Sequence, residues 1–257
     1  HLAAAQGIED SPDSGFRYVR SLAMGYGDER QILNQAIHAP VALKWFEAAI
    51  GLKMRVIADC PDYYYGSSND ALAEGRLLEV EPFPGASLGD WQERTRISPH
   101  VLYGLTHEDI FGMGGSCNIL KWDWTRMGER LARDERCLGP GLAATFVKGA
   151  LDRGIALHTG VAVEELVLDG SRVVGLRARQ GGQDLWVRAR RGVLIAVSGY
   201  ERSRDLSRTL GMQLDVQSVI MPEIDGAHLR LAGGVGARVA KMPDLTMLGF
   251  RIPGEEL

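Results

Sequence analysis

Residues 139–200 read GPGLAATFVKGALDRGIALHTGVAVEELVLDGSRVVGLRARQGGQDLWVRARRGVLIAVSGY. Residues 140–153 have the pattern of a helix, with Leu142, Phe146, Ala150 and Leu151 on one apolar face and Gly154 where a left-handed cap belongs. Residues 155–159 read as a strand. Residues 162–168, 172–179 and 185–189 read as three antiparallel strands, because Asp169-Gly170-Ser171 and Gly181-Gly182 supply the turns between them. Residues 193–197 are apolar without alternation, the pattern of a strand buried on both faces of a parallel sheet, and they run into Ser198-Gly199. Helix, meander and buried strand together predict an α/β fold.

Upstream, Ser11-Pro12-Asp13 is a helix start, with a capping hydroxyl, Pro at the first helical position and an acid at the positive end. Phe16, Val19 and Ala23 follow at helical spacing, and Gly25 reads as the stop. Asp28 caps a second helix carrying Ile32 and Ala36. Pro40 then breaks that helix or opens another, which carries Val41, Trp45 and Ile50 and stops at Gly51. Residues 54–58 are a short strand candidate. Residues 59–116 are rich in Pro, Gly, Ser and Asp, and their retained aromatics predict long ordered loops. Residues 118–133 read as helical. Asp225 caps a helix of small residues over 226–237.

The 257 residues are 45% hydrophobic and 24% charged, ordinary globular values. With a net charge of −4 and no basic stripe, nothing favours nucleic acid as a partner. The 32 glycines suit close backbone approaches such as a nucleotide site needs. Cys60, Cys117 and Cys137 are odd in number and form no CxxC pair, so neither disulfides nor a zinc site is expected; reduced thiols in a cytoplasmic protein are. No run approaches the roughly 18 apolar residues of a membrane span, and no signal peptide is visible. His38 and His158 have no partner at metal spacing, so no metal residues are assigned. His107, Glu108 and Asp109 form a small acid–base group that reads as a solvated turn, and Arg188, Arg190 and Arg191 read as a solvated strand end. Nothing here bears on oligomeric state.

The stretch 139–200, with Ser198-Gly199-Tyr200-Glu201 and the later Asp225-Gly226, resembles the middle of the FAD-binding domain in the fumarate reductase and 3-ketosteroid dehydrogenase family of flavoproteins. The likeness is firm over 139–237 and looser before. It implies a partial FAD-binding domain, Rossmann-like and of glutathione-reductase type, over 139–257, with a helical and long-loop region over 1–138 on its substrate side. In the resembling family the main chain at the positions of Ala162 and Val163 pairs with the adenine edge. Small residues at Ser198 and Gly199 let the chain pass the adenosine and pyrophosphate, although Ser198 departs from the family's usual Gly. Asp225 and Gly226 have two readings: a helix N-terminus facing an anionic group of the cofactor, or a capping Asp on a tightly packed helix.

The loops narrow the resemblance. Pro61-Asp62-Tyr63, Gly75-Arg76, Pro82-Phe83 and Leu88-Gly89 occur in the order of the ketosteroid enzymes. There the tyrosine matching Tyr63 lies near the flavin, so Tyr63 is the catalytic candidate, a phenol that can relay or accept a proton. The other reading is one of three consecutive tyrosines packing a loop. The resemblance implies an FAD-dependent oxidoreductase acting on a CH–CH bond beside a carbonyl, with a steroid-like ketone as substrate. A fumarate-like acid is the alternative within the enzyme class, and a non-catalytic α/β module that does not bind FAD on its own is the alternative outside it. The strand–GxGxxG–helix unit that cradles a pyrophosphate is not in these residues; Gly233-Gly234-Val235-Gly236 follows no strand. With a first residue other than Met, the expectation is a central fragment that binds FAD weakly and is inactive by itself, its strand at 193–197 short of sheet neighbours.

Overall fold

The computed structural model describes residues 1–97, 103–197, 199–211, 221 and 223–237. They form an α/β arrangement with small antiparallel sheets that divides into two compact units, His1–Gly160 and Val161–Leu257.

The first unit opens with the short helix α1 (Leu2–Ala5) and continues with α2 (Pro12–Leu22). Ser11 caps α2 by accepting the Ser14 N–H at 3.1 Å, Pro12 stands in its first turn, and Asp13 and Arg20 sit at the ends the helix dipole favours. Helix α3 (Glu29–Ile50) starts at Asp28, whose carboxylate accepts the Arg30 N–H, and stops at Gly51 in the left-handed region at φ 67°. Pro40 lies inside α3 and neither breaks it nor starts a new helix. Proline costs about 3 kcal/mol in a helix interior, but α3 packs on α2 and on a later helix, and tertiary packing outweighs local propensity.

Strands β1 (Met54–Val56) and β2 (Leu78–Val80) pair antiparallel with Arg55 opposite Glu79. The Glu79 side chain is only 2% exposed and takes the Arg55 guanidinium at 2.8 Å. It also accepts the main-chain N–H groups of His107 at 2.6 Å and Glu108 at 3.3 Å, so a strand residue completes the start of α4 (His107–Gly112). Thr106 and Asp109 close a reciprocal capping box there. The group at 107–109 is thus a capped helical turn, signalled by the spacing Thr-x-x-Asp. Between these elements, β3 (Phe83–Pro84) pairs with β4 (Glu135–Arg136), and α5 (Trp124–Ala132) is capped by Asp123. A 3-10 segment over Ser116–Lys121 precedes α5, so the helix expected over 118–133 is two pieces.

Helix α6 (Leu138–Leu151) belongs to this first unit and packs on α3. Its buried face is Gly141, Ala144, Thr145 and Gly149, whereas Leu142 and Phe146 remain partly exposed. The most buried positions are thus the small residues, while Phe146 of the expected apolar face still packs edge-on against Phe46 of α3, ring centroids 4.9 Å apart. Small residues let the helices approach: a Cβ on Gly149 would lie 2.6 Å from Ile50 Cγ2. Leu52, Val56, Ile57, Val80, Leu88, Leu105 and Cys137 form the apolar core around these contacts, each large aliphatic residue contributing about 1.5–3 kcal/mol on full burial.

The second unit contains β5 (Val161–Asp169), β6 (Arg172–Gln180) and β7 (Gln183–Arg188) in the order β5-β6-β7, as the turn residues predict. Gly181 and Gly182 both have positive φ, 58° and 83°, which the tight connection between β6 and β7 requires. Helices α7 (Arg204–Thr209) and α8 (Ala227–Gly234) follow, and α8 packs on β5. Residues 155–159 and 193–197 are not strands. Ile155 is 54% and Leu194 92% exposed, and among the described residues no strand lies beside either segment. An apolar run becomes a buried strand only when neighbours take its backbone groups.

Two outcomes follow. A Cβ at Gly175 would stand 2.3 Å from the Val187 carbonyl oxygen, so Gly175→Ala should cost about 1–3 kcal/mol, read as a lower urea midpoint. Acid should also destabilise the chain. Burial pushes the Asp109 carboxyl up, but the Thr106 N–H and the Arg130 guanidinium more than offset this and hold it below 3.8. A folded-state pKa below the unfolded one gives stability that is present above that ordinary value and lost as pH falls through the lowered one. Thermal unfolding should therefore be flat near neutrality and fall in strong acid, with a shallower fall in Asp109→Asn.

Candidate functional site

Tyr63 stands on a turn whose flanks are held from several directions. Asp62, 5% exposed, donates its N–H to the Leu72 carbonyl at 2.9 Å and accepts the Leu72 N–H on Oδ2 at 2.8 Å. Its carbonyl accepts the Tyr65 N–H at 2.9 Å. Tyr64 donates its N–H to the Tyr18 hydroxyl at 3.2 Å. The Tyr63 side chain between them is 80% exposed. Its position is therefore set by backbone held on both sides and not by packing of its own ring.

Arg76 joins this turn to α2. Nη1 donates to Asp62 Oδ2 and to the Asp70 carbonyl, both at 2.9 Å. Nε and Nη2 grip Asp10 at 3.0 and 2.7 Å, and Nη2 reaches Ser14 Oγ at 2.8 Å. The guanidinium carbon lies 5.4 Å from the Tyr18 ring centroid. Burial pushes the Asp10 carboxyl up, but Arg76 and the Ser11 N–H hold it below the usual carboxylate value. Gly75 has φ 104°, and a Cβ there would lie 2.9 Å from Ile8 Cγ2, so glycine before Arg76 is a steric requirement.

The other candidates lie in the second unit. Ala162 and Val163 are on β5, an edge strand whose outer side no other strand takes among the described residues. A register irregularity follows Val163. Ser198 lies outside the described residues. Gly199 has φ 76°, a conformation that L side chains rarely adopt. Asp225 Oδ1 accepts the Ala227 N–H at 3.1 Å and Oδ2 pairs with Arg230 at 2.8 Å, chiefly through which its carboxyl is held low. Gly226 has φ 80°, and a Cβ there would meet Leu206 Cδ1 at 2.5 Å and Tyr200 Cβ at 2.8 Å. The Gly199-Tyr200 and Asp225-Gly226 turns therefore adjoin each other, and α8 ties the second of them to β5. At the start of α8, His228 Nδ1 is buried without a hydrogen-bond partner.

These residues suit the adenosine end of a dinucleotide better than its phosphates. The free edge of β5 offers main-chain donors and acceptors to a planar base. The Asp225 carboxylate, paired with Arg230, can accept hydrogen bonds from sugar hydroxyls, and the pair leaves no net positive charge for a pyrophosphate. Elsewhere, a cleft of about 370 Å³ is lined by Gln92, Thr95, Tyr103, Asp134 and Arg136. Arg136 there is 3% exposed and engaged by Asp134 and by the carbonyls of Gln92 and Thr95, so its charge serves the fold. No group of three or more metal-ligating side chains occurs among the described residues, and none of their helices is long and apolar enough to cross a membrane. The network around Arg76 could not be found from sequence spacing, since Asp10 is 66 residues away; Gly75-Arg76 after Pro-Asp-Tyr was its one visible trace.

A family profile described as FAD binding domain matches residues 1–252, and the chain belongs to that family. FAD is the family's cofactor. The chain is similar to 4-oxocyclohexanecarboxylate 2-dehydrogenase of Sinomonas cyclohexanicum, 24% identical over 245 residues, covering 93% of this chain and 41% of the relative. It is similar to 3-oxosteroid 1-dehydrogenase of Comamonas testosteroni, 24% identical over 220 residues, covering 78% and 38%. Among solved structures it resembles 3-ketosteroid delta1-dehydrogenase from Sterolibacterium denitrificans in complex with 1,4-androstadiene-3,17-dione, with a TM-score of 0.76 and 26% identity over 90% of this chain and 45% of that one. The chain thus spans less than half the length of these relatives.

The thiols are placed for structure. Burial pushes Cys137 up to about 11, with Arg130 only partly opposing it, and Cys60 is also raised by burial and by the charges of Glu79 and Asp62. Cys117 is exposed. Alkylation of the native chain at mildly alkaline pH should label Cys117 alone, with Cys60 and Cys137 reacting only after unfolding; mass spectrometry of the peptides reads this directly.

Proposed function

We propose that the chain is part of an FAD-dependent dehydrogenase that introduces a C=C bond beside the carbonyl of a six-membered ring ketone, with 3-ketosteroids as the substrate class. The observation that carries this is the structural likeness over 90% of the chain to a ketosteroid dehydrogenase. Both curated relatives are named for an oxo group on a cyclohexane-type ring, which favours a ketone over a fumarate-like dicarboxylate. The finer architecture proposed is the glutathione-reductase type of FAD domain, with residues 139–257 on the cofactor side and 1–138 on the substrate side. The meander supports that placing. A cytoplasmic location is proposed with it, on the three free thiols.

Bound FAD supplies a two-electron acceptor for hydride from a substrate carbon. The chain's own residues bind and orient. Main-chain groups of Ala162 and Val163 would meet the adenine edge, Gly199 would leave room for the adenosine, and Asp225 with Gly226 would hold sugar hydroxyls. The exposed Tyr63 phenol hydrogen-bonds the substrate and relays the proton lost from the neighbouring carbon.

Anaerobic titration of the flavin-loaded gene product with a 3-ketosteroid tests this. The visible flavin band should bleach, with the dehydrogenated ketone as product, and Tyr63→Phe should slow bleaching by about 10²-fold or more. The 257-residue chain purified on its own should retain little FAD. Reoxidation of reduced flavin by fumarate without any ketone activity would favour the dicarboxylate reading, and a gene product that takes up no FAD would favour the non-catalytic module.

A further inference from the structure

All five N–H donors of a guanidinium are occupied at Arg76. Nε and one N–H of Nη2 hold the two oxygens of Asp10, and the other N–H of Nη2 holds Ser14 Oγ. The two N–H groups of Nη1 hold Asp62 Oδ2 and the Asp70 carbonyl. The side chains of Arg76 and Asp62 are 13% and 4% exposed. One planar group therefore ties the start of α2, distant in sequence, to residues 62 and 70 of its own loop.

What this fork holds still is specific. Asp62 is immobilised through its carboxylate, its N–H and its carbonyl. Tyr64 is tied by its N–H to the Tyr18 hydroxyl, and the Tyr18 ring lies beneath the same guanidinium. Arg76 thus grips one neighbour of Tyr63 by its carboxylate and lies against the ring whose hydroxyl holds the other. Of the three tyrosines in this turn, Tyr63 is the most exposed, at 80% against 52% for Tyr65. An exposed ring on an untethered loop would sample many orientations, and orientation is what a proton relay needs.

We propose that Arg76 is a positioning residue for Tyr63: its five-donor fork sets the backbone on both sides of that residue and so presents the phenol to the substrate. This rests on the reading of Tyr63 as facing substrate. Lysine cannot replace Arg76, because an ammonium has three donors and no planar fork.

The test is a double-mutant cycle in the flavin-loaded gene product, built on Arg76→Lys, which keeps the charge. A second readout is the ¹⁹F resonance of fluorotyrosine-labelled protein that disappears in Tyr63→Phe. Arg76→Lys should lower kcat by about 10²-fold with a smaller change in KM, shift or split the Tyr63 resonance, and have no further effect on kcat once Tyr63 is Phe. An equal loss from Arg76→Lys with and without the Tyr63 hydroxyl would overturn the proposal and make Arg76 a general support of the fold. An unchanged Tyr63 resonance in Arg76→Lys would overturn it as well. Normal kcat in Tyr63→Phe would instead remove the active-site reading of Tyr63, and the proposal with it.

Discussion

Two carboxylates, Asp62 and Glu79, are buried in a part of the chain with little regular structure, and the first unit is organised around satisfying them. An unpaired buried carboxylate is too costly to persist. Each is therefore met by an arginine and by main-chain N–H groups: Asp62 by Arg76 and Leu72, Glu79 by Arg55, His107 and Glu108. These bonds substitute for the ladders that the described loops between Asp59 and Thr106 mostly lack, and let chain rich in Gly and Pro hold a defined backbone there.

The same constraint shapes what the loops can present. With their backbone satisfied internally, side chains such as that of Tyr63 are left to face outward at a defined point. The second unit follows a different logic. Its strands satisfy one another, and the cofactor candidates among the described residues sit at the margins: the outer edge of β5 and the left-handed turns at Gly199 and Gly226. Gly226 is required there by Leu206 and Tyr200, so its glycine serves packing whatever else the turn binds.

What could be read in advance follows from the range of the forces involved. The meander was legible because Asp169-Gly170 and Gly181-Gly182 are local signals, and the caps at Ser11 and Asp28 likewise. Pro40 inside α3 was not, since packing against α2 and α6 overrides a local breaker. The runs at 155–159 and 193–197 look like strands, but strand formation needs partners that local pattern cannot supply. The most buried positions of α6 were missed because hydrophobicity points to Leu142 and Phe146, whereas the close approach of Ile50 selects Gly149 and that of the Arg136 carbonyl and Val80 selects Gly141. At the candidate site, Tyr63, Asp225 and Gly226 were nameable from a resemblance. The Arg76 fork was not, because it joins Asp10, Asp62 and Asp70 through geometry alone.

That buried carboxylates hold these loops in place, and with them the proposed substrate face, is open to one direct measurement: amide hydrogen exchange of the flavin-loaded gene product, with and without a bound 3-ketosteroid. The Leu72 and His107 amides, which donate to Asp62 and Glu79, should exchange as slowly as those of β6 even without ligand, and the ketone should add protection around Tyr63. Exchange of Leu72 and His107 at the rate of an unprotected loop would contradict it.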